Sequence, residues 1–279
     1  KMGIFAPQQP IPIMTLYTRE QALQLKEQTF AYLKVEEQDH VLTMTLNRPE
    51  KKNAMNPVFM NEIVYALNYA HYNNDVWAVV LRAESNVFCA GADLKSFAGQ
   101  GADAPVSTIP EPQHGAVLGD AFNGLHKPCI ARVHGNVYAG GFLLVCGCTH
   151  VIVAEGVQFS LPEVKRGIWP MQVMASLKPI MPARKLLDLC MRARAIEASE
   201  ALELGLATQV VPADKLDEAV DGLVAELKTL SPTAIRLGLK AWDELKTVAE
   251  AEHHPYLISR LQEILSTQDA AEGLSAFIE

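Results

Sequence analysis

Residues 135–170, GNVYAGGFLLVCGCTHVIVAEGVQFSLPEVKRGIWP, constrain this chain more than any other stretch. Two adjacent glycines, Gly140 and Gly141, make a turn that opens a short apolar run with the look of a helix. A strand-like run follows, and a lone carboxylate, Glu163, stands behind Pro162. Glycines at a helix start let backbone N–H groups face an anion, and the helix dipole adds to the attraction. A second glycine turn lies upstream in FCAGADLK, residues 88–95. Two such turns can each give one N–H to the same oxygen, which is how a backbone oxyanion hole is built. Either turn alone is better read as plain turn geometry. The pair, with Glu163 downstream, is what points to chemistry.

The other bulk features narrow the class. A chain of 279 residues, 49% hydrophobic, can bury a real core. Its formal charge of −8, without a basic block, argues against nucleic acid or an anionic membrane as partner. It does not exclude an anionic ligand, which feels local helix ends and lysines. The five cysteines Cys89, Cys129, Cys146, Cys148 and Cys190 lack a disulfide-framework spacing and read as reduced thiols. Cys146, Cys148 and His150 sit in an apolar run with no second ligand pair at zinc spacing, so no metal site is expected. No run reaches the length of a membrane span, and Pro7, Pro10 and Pro12 break up any signal-peptide pattern. A cytoplasmic protein is the expectation.

Along the chain, residues 1–31 read as an N-terminal extension in which Thr18 caps a short helix. Residues 32–47 read as a hairpin with Leu42, Met44 and Leu46 on one face and Thr43 and Thr45 on the other. Asn56 and Pro57 start a helix whose apolar residues Met60, Ile63, Val64, Leu67 and Ala70 share a face. WAVVL at 77–81 is a strand covered on both sides, leading into the first glycine turn. Residues 96–112 read as a loop, 114–125 as a helix and 128–135 as a strand. This alternation predicts a layered α/β core with crossover connections. Beyond Pro170 the pattern is mostly helical, with Ser199 as a cap and Gly205 as a stop. The expected organisation is an extension (1–31), a core (32–211) and a C-terminal helical region (212–279).

The runs RPEKKNAMN, FCAGADLK, GNVYAGG, QFSLPEVKRGI, ARAIEASEALELGLATQVVP and EGLSAF, in this order, resemble the crotonase superfamily of enoyl-CoA hydratases and isomerases. The resemblance spans the chain from about Tyr32 to its end. It implies a ββα-superhelix core, a trimer or hexamer and acyl-CoA thioesters as substrates, with coenzyme A part of the substrate and no separate cofactor. Carried over by residue, the N–H groups of Ala92 and Gly140 form the oxyanion hole. The CoA moiety lies along Lys51, Lys52 and Ala54 and against Ala90, Asp93 and Leu94. A lysine pair in a loop also fits plain solvated surface. Glu163 is the acid/base, for which an apolar wall of Val164, Ile168 and Trp169 would raise its pKa. A first-turn glutamate that merely complements a helix dipole is the competing reading.

One position departs from the pattern. The family's hydratases carry a further glutamate three residues beyond the oxyanion glycine, where this chain has Leu143. Hydration wants two acid/base groups. Moving a double bond needs one carboxylate, which takes a proton from one carbon and returns it two carbons on. Isomerisation and hydration with another second group therefore both stay open. Decarboxylation of a glutaconyl-type acyl-CoA and a non-catalytic acyl-CoA-binding scaffold trail them. Asp120 and His114 are weaker pocket candidates. Tyr138 is placed to bond an acyl group or simply to pack, and His134 and His150 read as structural. No GxSxG, Walker, HExxH or Rossmann glycine pattern is present.

Overall fold

A computed structural model describes residues 16–97, 106–112, 115 and 117–278. The hairpin forms as β1 (Leu33–Gln38) and β2 (Val41–Leu46), antiparallel, with Leu33 opposite Leu46 and Gln38 opposite Val41. Asp39 and His40 turn the chain at positive φ of 48° and 66°, the backbone twist that suits a two-residue hairpin loop. Leu42, Met44 and Leu46 are fully buried as expected, but Thr45 is buried too. The reason is that β2 is an interior strand, and Arg82 Nε donates to Thr45 Oγ1 at 2.9 Å.

Thr18 and Gln21 form a reciprocal capping box at the start of α1 (Arg19–Leu23). This segment packs against α2 (Pro57–Tyr72) of the same chain. Tyr17 is fully buried with its ring 5.0 Å from that of Tyr65, and Tyr65 Oη donates to the Gln21 carbonyl at 2.5 Å. Asn56 caps α2, its Oδ1 accepting from the Phe59 N–H at 2.8 Å, and Pro57 occupies the first turn. Glu62, fully buried on α2, accepts the N–H groups of Ala31 and Tyr32.

The chain then repeats one unit three times: a strand for a first sheet, a strand for a second, then helical segments. The first unit is β3 (Ala78–Ala83), β4 (Val87–Cys89), α3 (Leu94–Phe97) and α4 (Leu118–Asn123). The second is β5 (Cys129–Val133), β6 (Asn136–Tyr138) and α5 (Phe142–Cys146). The third is β7 (His150–Ala154), β8 (Gln158–Ser160), α6 (Met171–Leu177) and α7 (Ala183–Arg192). Stacking the units sets β3, β5 and β7 side by side in parallel, and likewise β4, β6 and β8. The helix expected over 114–125 is shorter, Leu118–Asn123, and His114 lies outside the described residues.

Two short strands interrupt the segment expected to be helical. β9 (Ala195–Glu197) pairs antiparallel with β8, then α8 (Ala198–Glu203) leads to β10 (Gln209–Val211), parallel to β7. The sheets run β1-β2-β3-β5-β7-β10 and β4-β6-β8-β9. Ser199 lies inside α8, whose cap position is Glu197, while Gly205 ends the segment at φ +79°. α9 (Leu216–Lys228) packs on β5 and β7, burying Leu216 and Val220. α10 (Pro232–Glu244), α11 (His253–Leu265) and α12 (Gln268–Ile278) stack chiefly on one another. Among the described residues no helix is long and apolar enough to cross a membrane.

Candidate active site

The repeated unit brings the sequence candidates together. β4, β6 and β8 are adjacent and parallel, with Cys89 in register with Val137 and Tyr138 with Ser160. Just beyond their carboxyl ends stand Ala92, Gly140 and Glu163 in turn, with the Gly140 turn on the middle strand. The carboxyl ends of parallel strands are where layered α/β folds place ligands.

The first two turns touch. Gly91 has φ +92°, and a Cβ there would lie 2.7 Å from Ala139 Cβ and 2.9 Å from Gly140 N, so only glycine permits the approach. A methyl group on Gly140 would stand 3.5 Å from the Ala92 nitrogen, so the two amides are neighbours. Ala139 takes the left-handed conformation at φ +50°, strain of order 1–3 kcal/mol that persists where surrounding structure enforces it.

The Ala92 amide faces away from the bonds that hold its turn, and the Gly140 amide has no acceptor within its own turn. Met55 bridges Ala92 in parallel: its N–H donates to the Gly91 carbonyl at 2.7 Å, and its carbonyl accepts from Asp93 at 2.8 Å. In that pattern the middle residue's own N–H points to the other side. Gly140 lies in the 3-10 turn Ala139–Gly141, whose leading N–H groups have no acceptor within the turn. Two backbone nitrogens from separate loops thus lie close together.

Glu163 sits in the 3-10 segment Pro162–Arg166, ended by Gly167 at φ +72°. It is 9% exposed, and its Oε2 is buried without a hydrogen-bond partner among the described residues. Burial pushes its carboxyl up from the ordinary glutamate range, against smaller opposing effects of its own backbone N–H and Arg166. The expected wall is only partly realised. Ile168 is 48% exposed and contributes its N–H to the Glu163 carbonyl at 3.3 Å instead. Val164 and Trp169 are half-buried, the indole N–H pointing at Met174 Sδ. Further cover comes from α7, packed on this segment, where burial and then the Glu163 charge push the Cys190 thiol up. Leu143, on α5, is buried.

The candidate CoA loop is built around residues that the sequence reading left out. Lys51 and Lys52 are exposed, as is Leu94, while Ala54 and Ala90 are half-buried. Lys52 and Asn53 both take positive φ, 52° and 55°. The fully buried Asn53 fixes this bend, accepting from the Arg48 N–H at 2.8 Å and donating to the Glu84 and Phe88 carbonyls. The Asp93 carboxylate is committed to Arg48 at 2.8 Å. Arg48, Asn53 and Cys190 were missed because their roles depend on which distant segments meet. The one visible signal was a charge at the head of RPEKKNAMN with an acid in FCAGADLK.

The remaining candidates are occupied or outlying. Asp120 is exposed on α4, and Tyr138 Oη accepts from Asn136 Nδ2 at 2.9 Å. His134 Nε2 meets the Ser85 carbonyl, and His150 Nδ1 meets Thr149 Oγ1. Cys148 Sγ lies 3.4 Å from Cys129 Sγ.

Comparison with known proteins finds relatives over most of the chain. The sequence model described as enoyl-CoA hydratase/isomerase matches residues 36–279. The chain is 30% identical over 252 residues to a probable enoyl-CoA hydratase of Mycobacterium bovis, covering 90% of this chain and 96% of that one. It is 32% identical over 263 residues to the human mitochondrial Delta(3,5)-Delta(2,4)-dienoyl-CoA isomerase, covering 87% and 77%. The structure of an enoyl-CoA hydratase/isomerase from Mycobacterium paratuberculosis superposes with a TM-score of 0.77 at 27% identity, over 90% and 96% of the two chains.

Proposed function

This chain is a member of the enoyl-CoA hydratase/isomerase family, an enzyme with the crotonase fold, and we propose that it binds an acyl-CoA thioester and moves a double bond along the acyl chain. The observation that carries this reading is a buried carboxylate with an oxygen unpaired among the described residues, Glu163, beyond the third of three adjacent parallel strands whose other two lead into the Ala92 and Gly140 turns, where Leu143 fills the position of a second acid. The N–H groups of Ala92 and Gly140 bind the thioester carbonyl and hold the negative charge of the dienolate. Each such donor contributes about 2.7–4 kcal/mol to the transition state. Glu163 takes a proton from C2 of a 3-enoyl thioester and returns it at C4, leaving the conjugated 2-enoyl product.

The CoA moiety runs along the loop of Lys51, Lys52 and Ala54 and past Ala90, Asp93 and Leu94. The two ammonium groups meet phosphate as mobile point charges. Asp93 contributes through its backbone, since its carboxylate is paired. The five free thiols favour a reducing, cytoplasmic compartment. Hydration is the second reading, supported by the relative described as a hydratase; it needs a water-holding group other than Leu143.

Absorbance of the conjugated thioester separates the readings. Gain of signal from a 3-enoyl-CoA is the expected result. Loss from a 2-enoyl-CoA with no gain from the 3-enoyl isomer would replace isomerisation by hydration, and silence from both would leave an acyl-CoA-binding scaffold.

A further inference from the structure

A buried charge joins the two loops on which the carbonyl site depends. The Arg48 side chain is 8% exposed, and its guanidinium lies over the Tyr32 ring, 4.7 Å from the centroid. Its Nη1 donates to the Ala54 carbonyl at 2.7 Å and to Asp93 Oδ2 at 2.8 Å, spanning 45 residues of sequence. Asp93 in turn donates its N–H to the Met55 carbonyl, and its Oδ1 faces the Ser96 N–H at 3.4 Å. Ala92 is therefore gripped on both sides: Gly91 accepts from Met55, and Asp93 is held by Met55 through the backbone and by Arg48 through the side chain.

Stability alone does not explain this arrangement. Taking two charges out of water is costly, and a well-packed apolar pair of similar volume does as well or better. Nor is the guanidinium fully satisfied. Nε is buried without a hydrogen bond among the described residues, and Glu50 Oε1 stands 3.8 Å from it. What the pair does provide is direction. A guanidinium has fixed donor directions, so the Ala54 carbonyl and the Asp93 carboxylate are locked at one mutual angle. The Ala92 amide, one residue before Asp93, inherits that angle.

We propose that Arg48 is a positioning residue for the reaction: by pairing with Asp93 while holding the Ala54 carbonyl, it aims the Ala92 N–H at the point where the Gly140 N–H also converges. The proposal rests on reading these two amides as the carbonyl-binding pair. Burial alone would raise the Asp93 carboxyl, but Arg48 and Ser96 hold it below its ordinary range, so the pair stays charged at working pH. A small misdirection of the donor would be felt mainly in the transition state, where charge on the oxygen is greatest.

The test uses 4-dimethylaminocinnamoyl-CoA, an enoyl thioester whose absorption band moves to the red when its carbonyl is polarised by hydrogen bonds. Arg48→Met and Asp93→Asn are compared with the wild-type enzyme for the band shift and for kcat on the turned-over enoyl-CoA. Wild type is expected to give a red shift. Each variant should lose most of it, with kcat falling about 10- to 100-fold, the size expected of a misplaced reacting group. Should Arg48→Met fail to fold, Asp93→Asn, which keeps the side-chain volume, carries the comparison. A wild-type-sized shift with kcat within about twofold, even in a variant that melts earlier, would overturn the role of Arg48. Absence of any shift in the wild type would instead overturn the two-amide reading on which the proposal rests.

Discussion

A buried carboxylate with one oxygen left without a hydrogen-bond partner among the described residues works against folding, and Glu163 is such a group. Its folded-state pKa is raised, chiefly by burial. The folded chain therefore binds a proton more tightly than the unfolded chain. Stability from this site is greatest below the unfolded glutamate pKa and is lost as pH rises through the raised value. Glu163→Gln should thus melt at a higher temperature than wild type near neutral pH, with the gap closing toward about pH 4, where both side chains are neutral. The same substitution should lower kcat by about 10²-fold or more. In the wild type, kcat/KM should rise with pH through the raised Glu163 pKa, because the first step needs the ionised form. A variant that melts earlier at neutral pH would contradict the stability prediction, and one that keeps its rate would contradict the catalytic one.

At this scale Glu163 was legible because Pro162 and the flanking apolar residues set it apart in sequence. Its surroundings were not. Ile168 looked like cover but is half-exposed, and Cys190, on α7, senses the carboxylate from outside the local run. Asp93 was read only as a CoA contact and Arg48 not at all, because their pairing exists only where the loops that carry them meet.

At the level of elements, local chemistry was the best guide. Asn56 and Pro57 gave the start of α2, and alternating Leu42, Met44 and Leu46 gave the buried face of β2. Glycine geometry marked the two turns, and the parallel neighbours β4 and β6 are what bring them into contact. Long-range pairing defeated the reading elsewhere: β9 and β10 are only three residues each and exist because β8 and β7 offer them edges. The stretch before α1 was equally opaque, since nothing local shows that Tyr17 inserts beside Tyr65. That packing gives a prediction at this scale. Tyr17→Ala should cost about 3–5 kcal/mol, the range for removing a large buried aromatic side chain. Chemical denaturation measures it, and a loss under about 1 kcal/mol would mean that α1 does not anchor α2.

For the whole molecule, the C-terminal helices leave large apolar side chains uncovered: Trp242, Ile258, Leu261, Leu265 and Leu274 are each at least half-exposed. Apolar surface on that scale marks an interaction site, and it supports the proposed trimer or hexamer. Light scattering should then give three or six times the 30.6 kDa chain mass, and a monomer at micromolar concentration would count against it. The proposed chemistry lies deeper, in the two strand-end turns and the glutamate on the third. The most direct measurement is the structure of Glu163→Gln with a 3-enoyl-CoA bound. The thioester oxygen is expected within about 2.7–3.1 Å of both the Ala92 and the Gly140 nitrogen, with the side chain at 163 facing C2 and C4. A carbonyl that reaches neither amide, or an acyl chain lying away from position 163, would contradict the account.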